Sequence, residues 1–573
     1  MKNDSKQSST SSAPRIVIIG GVAGGASAAT RARRMNEQAE IIMLEKDGYV
    51  SFANCGLPYY LGGEITDRDK LLVAKPELFA ERFNIDVRTR HEATSIDRTR
   101  KVVQVLNHNT GETFELPYDK LILAPGASPI IPAIEGVNAK NVFTLRNIED
   151  TDRIHTFLQS AKPRKAVVVG AGFIGLEMVE QLSRLGIDTA LVELVDQVLP
   201  PLDPEMAHLL EIELANNGVQ LHLGDGIQSI LTEADTASGV ILASGKQLDA
   251  DVVILGVGVR PNVTLAKDAG LPVGPTGGIA INEYAQTSDP DIYAVGDAAE
   301  YHYGPTGQPM RIPLAGPANR SGRIAGQHAA TGSSEPLSPV FGTAIARVFG
   351  LSAGMTGLSR KLAAKLGIQA ASVIIVANHH AGYYPGAKPI TLKLIYDPDT
   401  GKVLGAQAVG AEGIDKRIDV IATAMRFNAT VHDLEGIDLA YAPPFGSAKD
   451  PVHMAAFAAC NALSKHVRVL DPDADLEGVQ VLDVRTPAEV QRQPVPDADR
   501  VATIPIDQLR NRIDELNRDQ PVAVICASGL RGYVAARVLM QHGFKDVSNI
   551  TGGVIMRTHA LAKQAISHER RSS

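Results

Sequence analysis

The sequence predicts an α/β protein of several domains, and three observations predict it. Two stretches, beginning at Arg15 and Ala166, each run strand, glycine turn, helix, strand, acid: RIVIIGGVAGGASAATRARR followed by EIIMLEK, and AVVVGAGFIGLEMVEQLSRLGIDTALVEL. A further strand-and-helix pattern starts at VQVLDVRTPAEV, after the polar connector DPDADLEG. With 573 residues, 44% of them hydrophobic, 52 Gly and no Trp, the chain is long enough for several buried cores and has the composition of an α/β protein.

The elements follow in order. Residues 1–13, within MKNDSKQSSTSSAP, are polar and Ser-rich with no apolar core, so a flexible tail is expected there and not a signal peptide. RIVII is a buried-type strand, Gly20 to Gly25 form the turn, and the following Ala- and Arg-rich run is a helix. Glycines let the backbone approach a pyrophosphate, the helix N-terminus stabilises its charge, and an acid ending the second strand, here Glu45, accepts from ribose hydroxyls. In G-x-G-x-x-G register Gly20 and Gly25 match, while Val22 stands at the middle glycine. The second copy is complete, with Gly170, Gly172 and Gly175 in register and Glu193 at the end of its second strand. An acid there suits free ribose hydroxyls, so NADH is favoured over NADPH. Two apolar strands closing in Gly-rich turns, LILAPGASP and DVVILGVGVRPN, carry Gly126 and Gly258, and TSDPDIYAVGDAAE places Gly296 and Asp297 at a strand end.

From about residue 14 to 460 this order of motifs resembles the two-dinucleotide flavoprotein disulfide reductases. The resemblance implies FAD on the first fold, held by Gly20, Gly21, Val22, Ala23, Gly24, Gly25, Glu45, Lys46, Gly126, Gly296 and Asp297. It implies the nicotinamide on the second, at Gly170, Gly172, Ile174, Gly175, Glu177, Glu193 and Gly258. It also implies a C-terminal dimerisation domain and active sites built from both subunits of a homodimer. The expected division is an FAD domain at 14–130 and 255–335, a nicotinamide domain at 131–254, an α+β dimerisation domain at 338–460, a linker at 461–473 and a last domain at 474–573.

Three cysteines stand at 55, 460 and 526. So few in so long a chain form no disulfide framework, which favours a reducing cytoplasm. Glutathione-reductase-like proteins carry a second redox cysteine just after the first, but SFANCGLPYYLGG carries Cys55 alone. Cys460 lies in an Ala-rich amphipathic helix, where a cysteine most often fills core volume. Cys55 therefore cycles through sulfenic acid or through a mixed disulfide or persulfide with a small thiol. Peroxidase-type relatives have a histidine in the first glycine turn; Ala23 stands here, which demotes peroxide chemistry and leaves an NADH peroxidase or oxidase as an alternative.

GGVAGGASAATRARR with SFANCGLPYY resembles the coenzyme A disulfide reductases, in which the cysteine pairs with coenzyme A. That resemblance places coenzyme A contacts at Arg34, Ser51 and Asn54, with Lys75 able to neutralise its phosphates. In HHAGYYPGA and LAYAPPFGSAKDP it assigns Tyr383 and Tyr441 to the partner subunit's contribution, with Tyr384 as a packing residue. A phenol can donate a proton to a departing thiolate without competing as a nucleophile.

The C-terminal stretch resembles a single rhodanese domain. Its strand VAVI ends at Cys526, and a helix begins near Arg531, so backbone N–H groups at a helix N-terminus surround the sulfur and favour an anionic persulfide. Cysteine phosphatases use a loop one residue longer than the CASGLR found here, which points to sulfur transfer. Asp483 and Arg485 match the rhodanese signature as braces of the fold, and Met556 replaces an aromatic residue.

Together the resemblances imply NADH-driven, FAD-dependent reduction of coenzyme A persulfide, polysulfide or disulfide at Cys55, with Cys526 and Arg531 handling sulfane sulfur and a sulfur-donor protein as a further partner. A dedicated coenzyme A disulfide reductase and a sulfurtransferase with a regulatory flavin half are the alternatives. A net charge of −8 and a pI near 6.0 disfavour nucleic acid, and no run approaches a membrane span. No metal ligand set is assigned.

Overall fold

The computed structural model describes residues 13–571 except 499, with side chains to 565; the expected tail at 1–12 lies outside the described residues. The chain forms two compact units.

In the first unit a five-stranded parallel sheet has the spatial order Ile292–Ala294, Lys120–Leu123, Arg15–Ile19, Glu40–Glu45, Asp86–Thr89. Its β-branched runs are buried on both faces, as a doubly covered parallel sheet requires. The chain winds one way from Arg15–Ile19 and later the other way, so a switch point opens at the carboxyl end of that central strand, where α/β sheets bind ligands. The helix Ala23–Met35 crosses Ala315–Thr331 closely: a Cβ at Gly322 or Gly326 would strike the carbonyls of Gly24 and Ala28. A three-stranded antiparallel sheet, His91–Asp97 to Thr113–Pro117, covers part of one face.

Residues 144–162, expected within the nicotinamide domain, belong to this first unit. Local chemistry ties them there. Asn147 caps the helix Ile148–Ala161, Glu149 accepts from the Gly48 amide at 2.9 Å, and Asp152 pairs with Arg68 at 2.6 Å.

The second unit repeats the parallel sheet, in the order Gln220–Leu223, Asp188–Glu193, Lys165–Val169, Val252–Leu255, Val142–Phe143. A five-stranded antiparallel sheet from Ala344–Val348 to Val403–Gly410 carries the helices Ile414–Arg426, Val431–Glu435 and Pro451–Leu463 over a shared apolar core. The last sheet is parallel, in the order Arg468–Leu470, Val547–Ile550, Val522–Ile525, Gln480–Asp483, Val501–Thr503.

The expected linker at 461–473 thus needs correction, because Arg468–Leu470 is a strand of that sheet. A three-residue strand flanked by polar residues has no local signature; its pairing with Val547–Ile550 is long-range. The C-terminal domain is fixed to its surroundings. Thr551 Oγ1 accepts from the Ile374 amide at 2.7 Å and donates to the Ile374 carbonyl at 3.0 Å, which also accepts from Gly552 N at 3.0 Å. From the helix Gly553–Arg571, buried Lys563 reaches the Glu211 carboxylate at 3.0 Å, and His559 meets His208 at 3.1 Å between their Nδ1 atoms. Burial, with His559 beside it, lowers His208 to about 4, so the imidazole is neutral and one ring donates to the other.

Candidate active site

A cavity of about 830 Å³ opens at the switch point of the first sheet. Gly20, Val22, Ala23, Gly24, Glu45, Lys46, Gly126, Gly296 and Asp297 line it, as do Asn54 and Cys55. Gly21 and Gly25 do not. Gly21 donates its amide to Glu45 at 2.8 Å, and a Cβ at Gly25 would collide with the Gly20 carbonyl, so these two serve the turn and the packing of helix on strand.

The cavity fits a dinucleotide. Two helix N-termini, at Ala23 and Ala315, reach it with no side-chain cap, leaving backbone N–H groups for a pyrophosphate. Gly20 holds φ +98°, and a Cβ there would strike the Ala124 carbonyl, so the backbone at the turn must stay bare. Glu45 accepts from Gly21 N and Asp47 N, and burial pushes its carboxyl up, partly offset by those two amides.

Arg146 is a lining residue that sequence reasoning missed. Its guanidinium lies 3.2 Å from Asp297, and its carbonyl accepts from the Asn54 side chain at 3.1 Å. It therefore ties the cysteine turn to the strand-end aspartate. No local pattern in TLRNIED marks it.

Cys55 is exposed, on the one-turn segment Asn54–Gly56 that leads into the helix Leu57–Leu61. Ala53 N bonds to Leu71 O at 2.8 Å, and Ser51, at φ +46°, donates its amide to Gly21 O at 2.9 Å. The cysteine turn is thereby hung from the glycine turn. Of the four residues expected at coenzyme A, only Asn54 lines this cavity. Arg34 is exposed near the end of the Ala23–Met35 helix, Ser51 is anchored through its backbone, and Lys75 pairs with Asp69 at 2.9 Å. Near Arg34, Arg31 grips Gln327 and Ser27 bonds to Asn319 at 2.6 Å; burial, then Arg323 and Arg34, lowers the Arg31 guanidinium's affinity for its proton.

In the second unit, the hydroxyls of Tyr383 and Tyr441 lie 3.0 Å apart although the residues are 76% and 48% exposed. Tyr384 instead meets His380 edge-on at 5.5 Å. The two tyrosine loops are joined beneath: Ala381 N bonds to Gly446 O at 2.9 Å. Buried Arg417 pairs with Asp450 at 2.7 Å and donates to the His379 carbonyl at 2.7 Å.

The second glycine turn holds Gly170 at φ +102°, where a Cβ would collide with the Gly256 carbonyl. Gly175 packs against the Gly170 carbonyl, whereas a Cβ on Gly172 would meet no protein atom within 4 Å. Packing does not demand glycine at 172, and the space above it is open. Glu193 accepts from Ala171 N at 2.6 Å and Val195 N at 3.0 Å, the pattern seen at Glu45. Ile174 and Glu177 are half-buried in the helix Phe173–Arg184, and Gly258, at φ +118°, belongs to the first unit. A second cavity, about 270 Å³, is lined by Lys165, Asp188 and Gln220 at the amino ends of the strands, the opposite end from the glycine turn.

Cys526 is buried, and its Sγ accepts from Gly529 N at 3.1 Å. Gly529, at φ +106°, precedes the helix Leu530–Gln541, which has no side-chain cap, so its first amides face the loop. Val554 N bonds to Cys526 O at 2.8 Å, and a Cβ at Gly553 would strike that same carbonyl. Arg531 forms a two-pronged bond to Glu489, at 2.6 and 3.0 Å, which holds the Glu489 carboxyl down at about 2; Glu489 is also the capping-box acid of Thr486. Glu489 went unrecognised in the sequence. Asp483 and Arg485 form a fully buried pair at 2.6 Å, and Met556 is buried.

Comparison with known proteins agrees with this architecture. Residues 14–322 match the pyridine nucleotide-disulphide oxidoreductase family, 343–451 its dimerisation domain and 469–554 the rhodanese-like domain. A coenzyme A disulfide reductase of Staphylococcus epidermidis is 37% identical over 450 residues, 78% of this chain and 99% of the relative. The crystal structure of reduced Bacillus anthracis CoADR-RHD superposes with a TM-score of 0.92 at 46% identity, covering 96% of this chain and 99% of that one. An NAD-dependent persulfide reductase from A. fulgidus gives 0.88 at 39% identity, covering 95% and 99%. No described helix is long and apolar enough to cross a membrane. The chain belongs to the pyridine nucleotide-disulphide oxidoreductase family, as a flavoprotein reductase with an α+β dimerisation domain and a C-terminal rhodanese-like domain.

Proposed function

We propose that the protein reduces coenzyme A persulfide or polysulfide, and coenzyme A disulfide, with NADH through Cys55, and that Cys526 carries the sulfane sulfur. One observation supports this above the rest: Cys55 is the one cysteine in the sequence of its compact unit and lies exposed at the cavity, so a thiol arriving as substrate completes the disulfide. The Gly20 and Gly296 turns would hold FAD, which would supply the two-electron link between NADH and sulfur.

The chain's residues do the remaining work. Cys55 thiolate attacks the inner sulfur of the persulfide, its S–S bond breaks, and hydrosulfide leaves; the product is a Cys55–coenzyme A mixed disulfide. Two electrons and two protons then return Cys55 thiol and coenzyme A thiol. In a homodimer, the Tyr383–Tyr441 pair of one copy completes the Cys55 site of the other, and a phenol there protonates the departing sulfur. Arg34, Ser51, Asn54 and Lys75 hold the coenzyme A arm. At the other end, Gly529 N and Arg531 stabilise negative charge on a Cys526 persulfide charged by a donor protein or small thiol. The chemistry suits the reducing cytoplasm.

Anaerobic NADH oxidation with coenzyme A persulfide, measuring sulfide, tests the reading in wild type, Cys55→Ser and Cys526→Ser. Cys55→Ser is expected to lose sulfide release, and full release from it overturns the proposal. The name of the Staphylococcus epidermidis relative favours a second reading, a dedicated coenzyme A disulfide reductase. That reading requires fast turnover on the disulfide together with little sulfide from the persulfide.

A further inference from the structure

Cys460 plays no part in the chemistry above, yet two donor side chains converge on its sulfur. The helix Val431–Glu435 opens with a capping box, in which Thr430 and Asp433 satisfy each other's amides, fixing the turn that follows. His432 and Glu435, three residues apart, then project together, with Nδ1 and Oε2 3.6 Å apart. Cys460 comes from the helix Pro451–Leu463, which packs on that turn through the shared core. One donor atom from each of the three residues lies within 4.8 Å of the others. Filling of core volume accounts for the burial of Cys460 but not for a half-exposed imidazole and carboxylate gathered on its solvent side.

We propose that His432, Glu435 and Cys460 form a binding site for a divalent transition-metal ion of the Zn2+ class. Imidazole, carboxylate and thiolate are the ligands zinc takes, and at bond lengths of about 2.0 to 2.3 Å a tetrahedron spaces them by roughly 3.3 to 3.6 Å. Small rotations of the two exposed side chains reach that spacing. The fourth position faces solvent and is filled by water. A thiolate selects against Mg2+ and Ca2+, which take oxygen ligands.

Binding forms the metal–sulfur bond, breaks the S–H bond and releases one proton to solvent. The ion bridges the Val431–Glu435 turn to the helix that leads directly toward the strand Arg468–Leu470, and so braces the approach to the C-terminal domain.

The test uses the full-length flavin-loaded protein with Cys55→Ser and Cys526→Ser, leaving Cys460 as its one thiol. Zn2+ is titrated by calorimetry, and Cd2+ by its ultraviolet sulfur-to-metal absorption. We expect one ion per chain with micromolar or tighter affinity, and a higher melting temperature with Zn2+. In that background His432→Ala weakens Zn2+ binding at least tenfold, and Cys460→Ser removes the Cd2+ band. His432 is exposed, so its variant is informative even if Cys460→Ser misfolds. Absence of the band at one equivalent of Cd2+, or equal Zn2+ affinity in His432→Ala and Glu435→Gln, overturns the site.

Discussion

Gly172 and Gly175 belong to one glycine turn, yet replacing each by alanine should have opposite consequences. At Gly172 the backbone sits at φ −77°, ψ −171°, which alanine adopts without strain, and the added methyl meets no protein atom within 4 Å. Lower chain entropy in the unfolded state favours alanine by about 0.4 to 1 kcal/mol. Its poorer fit at a helix N-cap costs a similar amount, about 0.5 to 1 kcal/mol. Gly172→Ala should thus melt within a few degrees of wild type. If this turn binds the nicotinamide cofactor, the methyl enters the space its pyrophosphate would take above the helix N-terminus, and the KM for NADH should rise about tenfold or more, equivalent to about 1.4 kcal/mol, with kcat much less affected. At Gly175 the methyl runs into the Gly170 carbonyl, and relieving that overlap costs about 1 to 3 kcal/mol or more. Melting curves of the flavin-loaded enzyme and steady-state NADH kinetics read both variants. An unchanged KM for NADH in a normally stable Gly172→Ala refutes the assignment of this turn to the nicotinamide cofactor.

Two further predictions concern the sulfur sites. Tyr383→Phe breaks the Tyr383–Tyr441 hydroxyl pair and should slow thiol or sulfide release about tenfold to a hundredfold, whereas Tyr384→Phe, which keeps its edge-on contact with His380, should stay near wild type; stopped-flow assays distinguish them. Glu489→Gln weakens the two-pronged bond to Arg531 and should destabilise the C-terminal domain by about 1 to 2 kcal/mol after allowing for solvent screening. Because the Glu489 carboxyl lies at about 2 against an ordinary 4.5, that contribution is complete above pH 4.5 and fades only as pH falls toward 2. The melting offset between wild type and variant should therefore be constant from neutral pH down to about pH 5. An offset that closes within that range contradicts the ion pair.

What could be read from the sequence was contiguous. The turns at Gly20 and Gly170, the strand-end acids Glu45 and Glu193, and the loop from Cys526 to Arg531 each have a local geometry written within one strand, turn and helix. The residues missed act across distance in the chain. Arg146 matters because it meets both Asn54 and Asp297, and Glu489 because it meets Arg531. His432 and Glu435 gain interest only beside Cys460. The same reason explains the strand Arg468–Leu470, whose three residues carry no periodicity of their own. It also explains 144–162, drawn to the first unit by Arg68 and Gly48.

The bonds between Thr551, Gly552 and Ile374 reach beyond attachment. Ala371–Asn378 is the outermost strand of its antiparallel sheet, and Ile374 turns its amide and carbonyl away from the neighbouring strand. Such an open rim invites pairing with other chains, the usual origin of β-mediated aggregation. Here the C-terminal domain acts as a sheath for that rim. A chain cut after residue 463 bares a strand that evolved under cover, and its solubility should suffer even where its redox chemistry survives.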